Sequence, residues 1–211
     1  MLGTQDLTLF IISGLLLNIA PGPDSILIMT RSATQGWRAG SAAALGIGAG
    51  TCVHVLAAAL GLSALLAASS WAFTVIKWVG AAYLVWIGLQ MLLSRQQTGP
   101  ATPAALTPAL PYRKIFAQGF LTNVLNPKVA LFFLAFVPQF IAPEAPHKAL
   151  AFILLGAIFN LNGMLWCHFL AVSTALASQR LRLGVGLARW LSRGIGALFL
   201  SFGIKLALSE R

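Results

Sequence analysis

Ala20-Pro21-Gly22-Pro23-Asp24 interrupts an apolar run that begins near residue 7 and ends near residue 29. Proline removes a backbone donor and clashes with the preceding turn, so a helix is expected to kink or unwind here. A second interruption, Leu125-Asn126-Pro127-Lys128-Val129, lies inside a run from about 115 to 140. Shifting the chain against itself by 105 residues lays Gly14-Leu15-Leu16-Leu17-Asn18-Ile19 over Gly119-Phe120-Leu121-Thr122-Asn123-Val124. The same shift lays Pro21-Gly22-Pro23 over Asn126-Pro127-Lys128. Each interruption carries an ionisable residue within an otherwise apolar segment. In lipid, freed backbone groups are tolerated only where protein or a water-lined cavity satisfies them. Charges at such depth line a pathway or pair with one another. The two stretches therefore read as the working parts of a small membrane carrier.

Composition points the same way. Hydrophobic residues make up 58% of the 211 residues and charged residues 9%, where a soluble domain carries about a quarter charged. The length suits about six spans of roughly 20 residues each. The net charge of +10 comes from basic residues spread singly between apolar runs. No continuous basic face results, so the charge is read as setting topology and contacting lipid headgroups, with no nucleic-acid partner. Cys52 and Cys167 stand 115 residues apart with no CxxC and no metal-ligand spacing; each reads as a small apolar filler. The N-terminal run lacks a charged n-region and is too long for a signal h-region, so it is read as a retained helix.

Hydropathy gives runs near 7–29, 40–66, 71–93, 115–140, 148–175 and 187–208. The first connector is expected to hold Arg31 and Arg38. The third, 94–114, carries Arg95, Arg113 and Lys114 among four prolines, and the fifth holds Arg180, Arg182 and Arg189. The second and fourth are nearly neutral. The positive-inside rule then puts the odd connectors in the cytoplasm and both termini outside. The expected fold is an all-α integral membrane protein. It forms one domain of six transmembrane helices, arranged as two inverted three-helix repeats (about 1–94 and 115–211, linker 95–114) with helices 1 and 4 broken. Gly88-Leu89-Gln90-Met91-Leu92-Leu93-Ser94 resembles Gly203-Ile204-Lys205-Leu206-Ala207-Leu208-Ser209, which supports the duplication at the ends of the halves.

Asp24 and Lys128 are the opposite charges embedded in the two broken helices. They can face a shared cavity as a pair or as poles for a zwitterion. Alternatively, Asp24 caps the helix segment after its break and Lys128 snorkels. Asn18 and Asn123, one turn before each break, either brace unwound backbone or contact substrate. Asn126, next to Pro127, has the same two readings and lies nearer the break. Asn160 and Asn162 cannot share a helical face, so one is expected to bond a neighbouring helix and the other to reach the cavity. His54 has two readings, a helix–helix hydrogen bond or a proton relay. Gly46 and Gly50, with Ala42, suit close helix packing. No hydrolytic or metal constellation occurs, and Gly46-Ile47-Gly48-Ala49-Gly50 lacks the strand context of a dinucleotide site. The chain therefore reads as a non-enzyme without metal or cofactor.

Pro21-Gly22-Pro23-Asp24, then Gln35-Gly36-Trp37-Arg38-Ala39-Gly40, resembles the first signature of the LysE/RhtB-type amino-acid exporters. Asn126-Pro127-Lys128, then Leu131-Phe132-Phe133 and Pro138-Gln139-Phe140, resembles their second. The resemblance covers most of the chain. It implies a multi-pass secondary carrier of the bacterial inner membrane that exports amino acids or close derivatives, driven by the proton gradient. Carried over by position, Pro21, Gly22, Pro23, Asp24, Asn126, Pro127 and Lys128 are the signature residues. Position 20 is Ala where the family often has Thr, and His168 stands where an aromatic hydroxyl is common; both bear on selectivity. The leading expectation is alternating access, with Lys128 and the exposed N–H groups after the first break receiving the carboxylate and Asp24 the amino group or a proton. The preference is for neutral amino acids such as homoserine, threonine or leucine. The alternatives are a membrane thiol-redox or electron-relay protein and a small-ion channel. A homodimer is open.

Overall fold

The breaks in the sequence become breaks in the helices. The computed structural model describes residues 3–62 and 109–180, with single positions between 71 and 89 and at 200 and 204. The spans read over 71–93 and 187–208, most of the linker, the likeness of 88–94 to 203–209, and Arg95, Arg182 and Arg189 therefore fall largely or wholly outside the described residues. Helix α1 (Leu7–Ile19) stops before Pro21, and α2 (Pro23–Gln35) begins with Pro23 in its first turn, where the missing N–H would be unpaired anyway. The two axes meet at 54°. Helix α3 (Trp37–Ala57) follows after the single residue Gly36, whose φ of 83° lies in the region that favours glycine. Helix α4 (Tyr112–Val124) and α5 (Pro127–Leu131) repeat the pattern of α1 and α2, and the stretch from Pro127 to Phe140 is bent 47° from α4. Helix α6 (Lys148–Arg180) is continuous. Among the described residues there is no strand, only an isolated bridge between Thr4 and Ile141.

Three boundaries differ from the sequence reading. Arg31 lies inside α2 and Arg38 in the first turn of α3, so the first connector shrinks to Gly36. Arg113 and Lys114 open α4, and α6 extends to Arg180. In each case a helix runs on past its apolar stretch into polar residues, because hydropathy marks what can lie in lipid rather than where hydrogen bonding stops.

Contacts at the ends fix directions. At one end Gln35 Nε2 donates to Leu110 O at 3.0 Å, Leu110 N donates back to Gln35 Oε1 at 3.2 Å, and Arg31 Nη2 reaches Gln118 Oε1 at 2.9 Å. At the other, Gln5 N donates to Phe140 O at 2.9 Å and Ala142 N to Gly3 O at 2.8 Å. The broken helix α1–α2 therefore runs opposite to the broken helix α4–α5. Trp37–Gly61 and Lys148–Ser178 are each long and apolar enough to cross a membrane, and each bent pair qualifies when taken as one span.

Two apolar clusters flank the breaks. The first is aromatic: Phe132 stacks on Phe159 at 4.6 Å and Phe10 meets Phe140 edge-on at 5.2 Å. The second is built of small residues, Ala39, Ala43, Ala44 and Ala171 around Ile47 and Ile115. Here α3 and α4 approach at backbone distance. A Cβ on Gly50 would lie 2.9 Å from Phe120 O, and Gly46 and Gly119 lie directly against Phe116 O and Ala43 O. The outward faces keep Leu45, Leu56, Leu161, Leu165 and Phe169 exposed, an apolar surface suited to lipid rather than water.

Candidate functional site

Between the two clusters lies a cavity lined by residues of both broken helices, α3 and α6, including Asn18, Asp24, Asn123, Lys128 and Asn160. Its geometry follows from what the prolines remove. In a continuous helix Leu17 O would accept from residue 21, but Pro21 has no N–H. Ala20 O loses its donor because Gly22 is extended, at φ −161°. Lys128 Nζ, from the other broken helix, donates to both carbonyls, at 3.1 Å to Leu17 O and 3.0 Å to Ala20 O. Gly22 makes room for it, since a Cβ there would stand 3.2 Å from Nζ. Lys128 therefore caps the C-terminal end of α1, where the helix dipole also favours a cation. It does not snorkel.

The second break is treated in the same way. Pro127 supplies no N–H to Asn123 O. That carbonyl accepts instead from Asn126 N at 2.9 Å and from His54 Nε2 at 3.0 Å. A carbonyl only accepts, so Nε2 carries the proton in this bond. The His54 ring also stacks on Phe133, 6.2 Å between centroids and 5° between planes. Asn126 Oδ1 accepts from Lys128 N at 3.0 Å and so caps α5.

Asp24 lies in the first turn of α2 and makes no capping bond there. Its Oδ2 accepts from Asn123 Nδ2 at 2.8 Å and from Asn126 Nδ2 at 3.2 Å. Asp24 and Lys128 are thus satisfied by different partners, and the charge from each broken helix is held by the break of the other. Both asparagines are almost fully buried, 1% and 2% exposed. Thr51 Oγ1, on α3, stands 3.3 Å from Asn123 Oδ1 and 3.1 Å from Ile47 O.

The equivalence of Asn18 and Asn123 is not kept. Asn123 holds Asp24, whereas Asn18 lies over Gly163 with its Nδ2 buried and without a hydrogen-bond partner among the described residues. Asp24 Oδ1 is likewise buried and has no partner among the described residues. Asn160 Nδ2 donates to Gly48 O at 3.3 Å, and the same residue lines the cavity, so it fills both roles expected of Asn160 and Asn162 together. His168 turns its Nδ1 to Met164 O of its own helix at 2.8 Å and is absent from the lining, where its neighbour Cys167 stands instead. Thr51 and Gly163 were not singled out by sequence, and Cys167 was read only as an apolar filler; a small residue on a helix carries no signal of what it faces. Both cysteines are free. Among the described residues no three potential metal ligands converge.

The cavity's free volume is about 30 Å³, room for one or two waters. In this conformation the site is closed around its polar groups.

The LysE type translocator family model matches residues 15–210. An uncharacterised membrane protein of Pseudomonas aeruginosa is 34% identical over 208 residues, covering 98% of this chain and 96% of the relative. The homoserine/homoserine lactone efflux protein of Salmonella typhi is 30% identical over 203 residues, 94% of each chain. An uncharacterised membrane protein of Vibrio cholerae is 29% identical over 204 residues, covering 95% of this chain and 96% of the relative. No solved structure matches the chain.

Proposed function

The chain belongs to the LysE type translocator family, and on that premise we propose that it is a secondary carrier exporting neutral amino acids or close derivatives across the bacterial inner membrane. The observation that carries the reading is the exchange of charges at the cavity: Asp24 is held by Asn123 and Asn126, and Lys128 by the carbonyls of Leu17 and Ala20. Each hydrogen bond joins the two broken helices, so each must be made and broken if the halves rock about the site. The relative that exports homoserine and its lactone supports a small substrate bearing an amino group.

In this reading six helices form two inverted repeats with both termini outside, and the cavity opens alternately to the two sides. The substrate ammonium meets Asp24 Oδ1, and a proton replaces it there on the return, which couples export to the proton gradient. Asn18, Asn160 and the apolar walls at Leu17, Ile47, Val129 and Phe159 shape the remainder of the site. Pro21, Gly22, Pro23 and Pro127 act through the backbone, by keeping the two breaks open to the opposite half.

Efflux from preloaded proteoliposomes, with a panel of labelled amino acids and an imposed pH gradient, tests the proposal. Efflux of one group that rises with the gradient is the expected result. No efflux of any amino acid from well-inserted protein overturns it.

A further inference from the structure

We propose, on the carrier reading above, that residues 3–6 form a latch over the end of the molecule that carries the N-terminus, and that this latch unpairs whenever the cavity opens there. The N-terminal segment lies against the chain that leaves the second broken helix. Gln5 N donates to Phe140 O at 2.9 Å, Ala142 N to Gly3 O at 2.8 Å, and Gln5 Nε2 to Gln139 O at 3.0 Å. Thr4 and Ile141 are thereby paired antiparallel. One partner runs directly into α1, and the other continues from the stretch after Pro127. The latch therefore ties together two halves that must part if the carrier rocks.

The seam beneath the latch leads to the cavity. Phe159 lines the cavity and stacks on Phe132 at 4.6 Å. Phe132 in turn lies 6.1 Å from Phe10 on α1, and Phe10 meets Phe140 edge-on at 5.2 Å. A path between α1 and the 132–140 stretch must part these rings, and the latch joins the same two segments beyond them. Both sides of the seam are wound in ways that favour change. Asp6, between the latch and α1, has φ 49° and ψ 41°, a left-handed backbone that a residue with a Cβ disfavours. Such a conformation persists only while its surroundings impose it. Opposite, Phe132–Phe136 forms a π-helical turn and Val137–Phe140 a 3-10 turn, windings that recur at hinges and functional sites. Gly3 has a φ of 79°, and a Cβ there would lie directly against Ala145, so the closed latch seats tightly.

The bonds flanking Thr4 and Ile141 make them a non-hydrogen-bonded pair, with Cα atoms about 4.5 Å apart, inside the range of about 4.4–6.8 Å that a disulfide accepts. Thr4→Cys with Ile141→Cys, in Cys52→Ser protein, therefore tests the latch. Initial efflux of labelled L-homoserine, L-threonine and L-leucine is measured from proteoliposomes after oxidation and again after reduction, beside Thr4→Cys alone treated alike. The disulfide is expected to form, efflux to fall in proportion to the fraction oxidised, and reduction to restore it. Efflux unchanged by the disulfide would show that the latch stays shut through the cycle. Failure of the disulfide to form would show that the segments are not paired, and either result overturns the proposal.

A second variant reads the latch without transport. Ala142→Pro removes the N–H that Gly3 O accepts. Ile141 before it is already extended, at φ −118° and ψ 120°, as suits a residue preceding proline. In Cys52→Ser protein without substrate, Ala142→Pro is expected to speed maleimide labelling of Cys167 by about three- to tenfold, the scale of one backbone hydrogen bond. An unchanged labelling rate contradicts the latch. Faster labelling in protein that exports none of the three amino acids leaves the latch standing and overturns the carrier reading for this substrate group.

Discussion

Pro21 removes the N–H that Leu17 O would have used, and Lys128 of the opposite broken helix replaces it. Lysine and proline therefore form one structural unit although 107 positions separate them, and a double substitution should reveal it. Lys128→Met leaves two buried carbonyls bare and is expected to destabilise the protein by about 2–6 kcal/mol, at about 1–3 kcal/mol per unsatisfied group. Adding Pro21→Ala restores a backbone donor and lets α1 continue, so the double variant should recover about 1 kcal/mol or more of that loss. Thermal unfolding in detergent reads the coupling. Strictly additive effects would show that Lys128 does not stand in for the missing N–H. Gly22→Ala is milder: its extended backbone admits alanine, but the Cβ crowds Lys128 Nζ, and we expect slower efflux with nearly unchanged folding, measured as initial rate per inserted protein. At this scale the sequence identified the two charges, because a lone Asp and a lone Lys in apolar runs stand out. It could not identify their partners. Whether an asparagine faces its own break or the other half depends on how the helices dock, and this is why Asn18 and Asn123, equivalent by repeat, differ in the fold.

Helix breaks were legible for a simpler reason: proline acts locally, and both interruptions fall where Pro21 and Pro127 put them. The missed boundary between the first two runs has an equally local cause. Thr30 to Gln35 are polar enough to end a hydropathy window but remain helical, and only Gly36 stops the helix. Packing of α3 on α4 was visible as glycine at four-residue spacing, though the partner helix was not. Gly119 lies directly against Ala43 O, with no space for a side chain. Gly119→Val should therefore push α3 and α4 apart and cost about 2–3 kcal/mol, the upper range for overpacking. Unfolding of the purified variant checks this, and stability within about 0.5 kcal/mol of wild type, the usual surface value, would contradict the packing described.

Across the whole molecule, the two broken helices run in opposite directions and enclose a cavity of about 30 Å³. That space is far below the several hundred Å³ typical of ligand sites. Under the proposed carrier function the halves must therefore separate on one side at a time. Cys167, buried and in the cavity lining, reports on this opening. In a Cys52→Ser background its labelling by a maleimide should be slow at rest and faster while substrate is being exported. Labelling that is fast and indifferent to substrate would mean that the cavity does not close. The role of Asp24 in a closing cavity is tested most simply by the initial rate of amino-acid efflux against internal concentration, in wild type and in Asp24→Asn at equal abundance. The rate is expected to saturate in the wild type and to fall by about ten- to a hundredfold in Asp24→Asn, as one charged hydrogen bond is lost. A rate that never saturates, or an Asp24→Asn protein that exports as fast as wild type, would contradict that role.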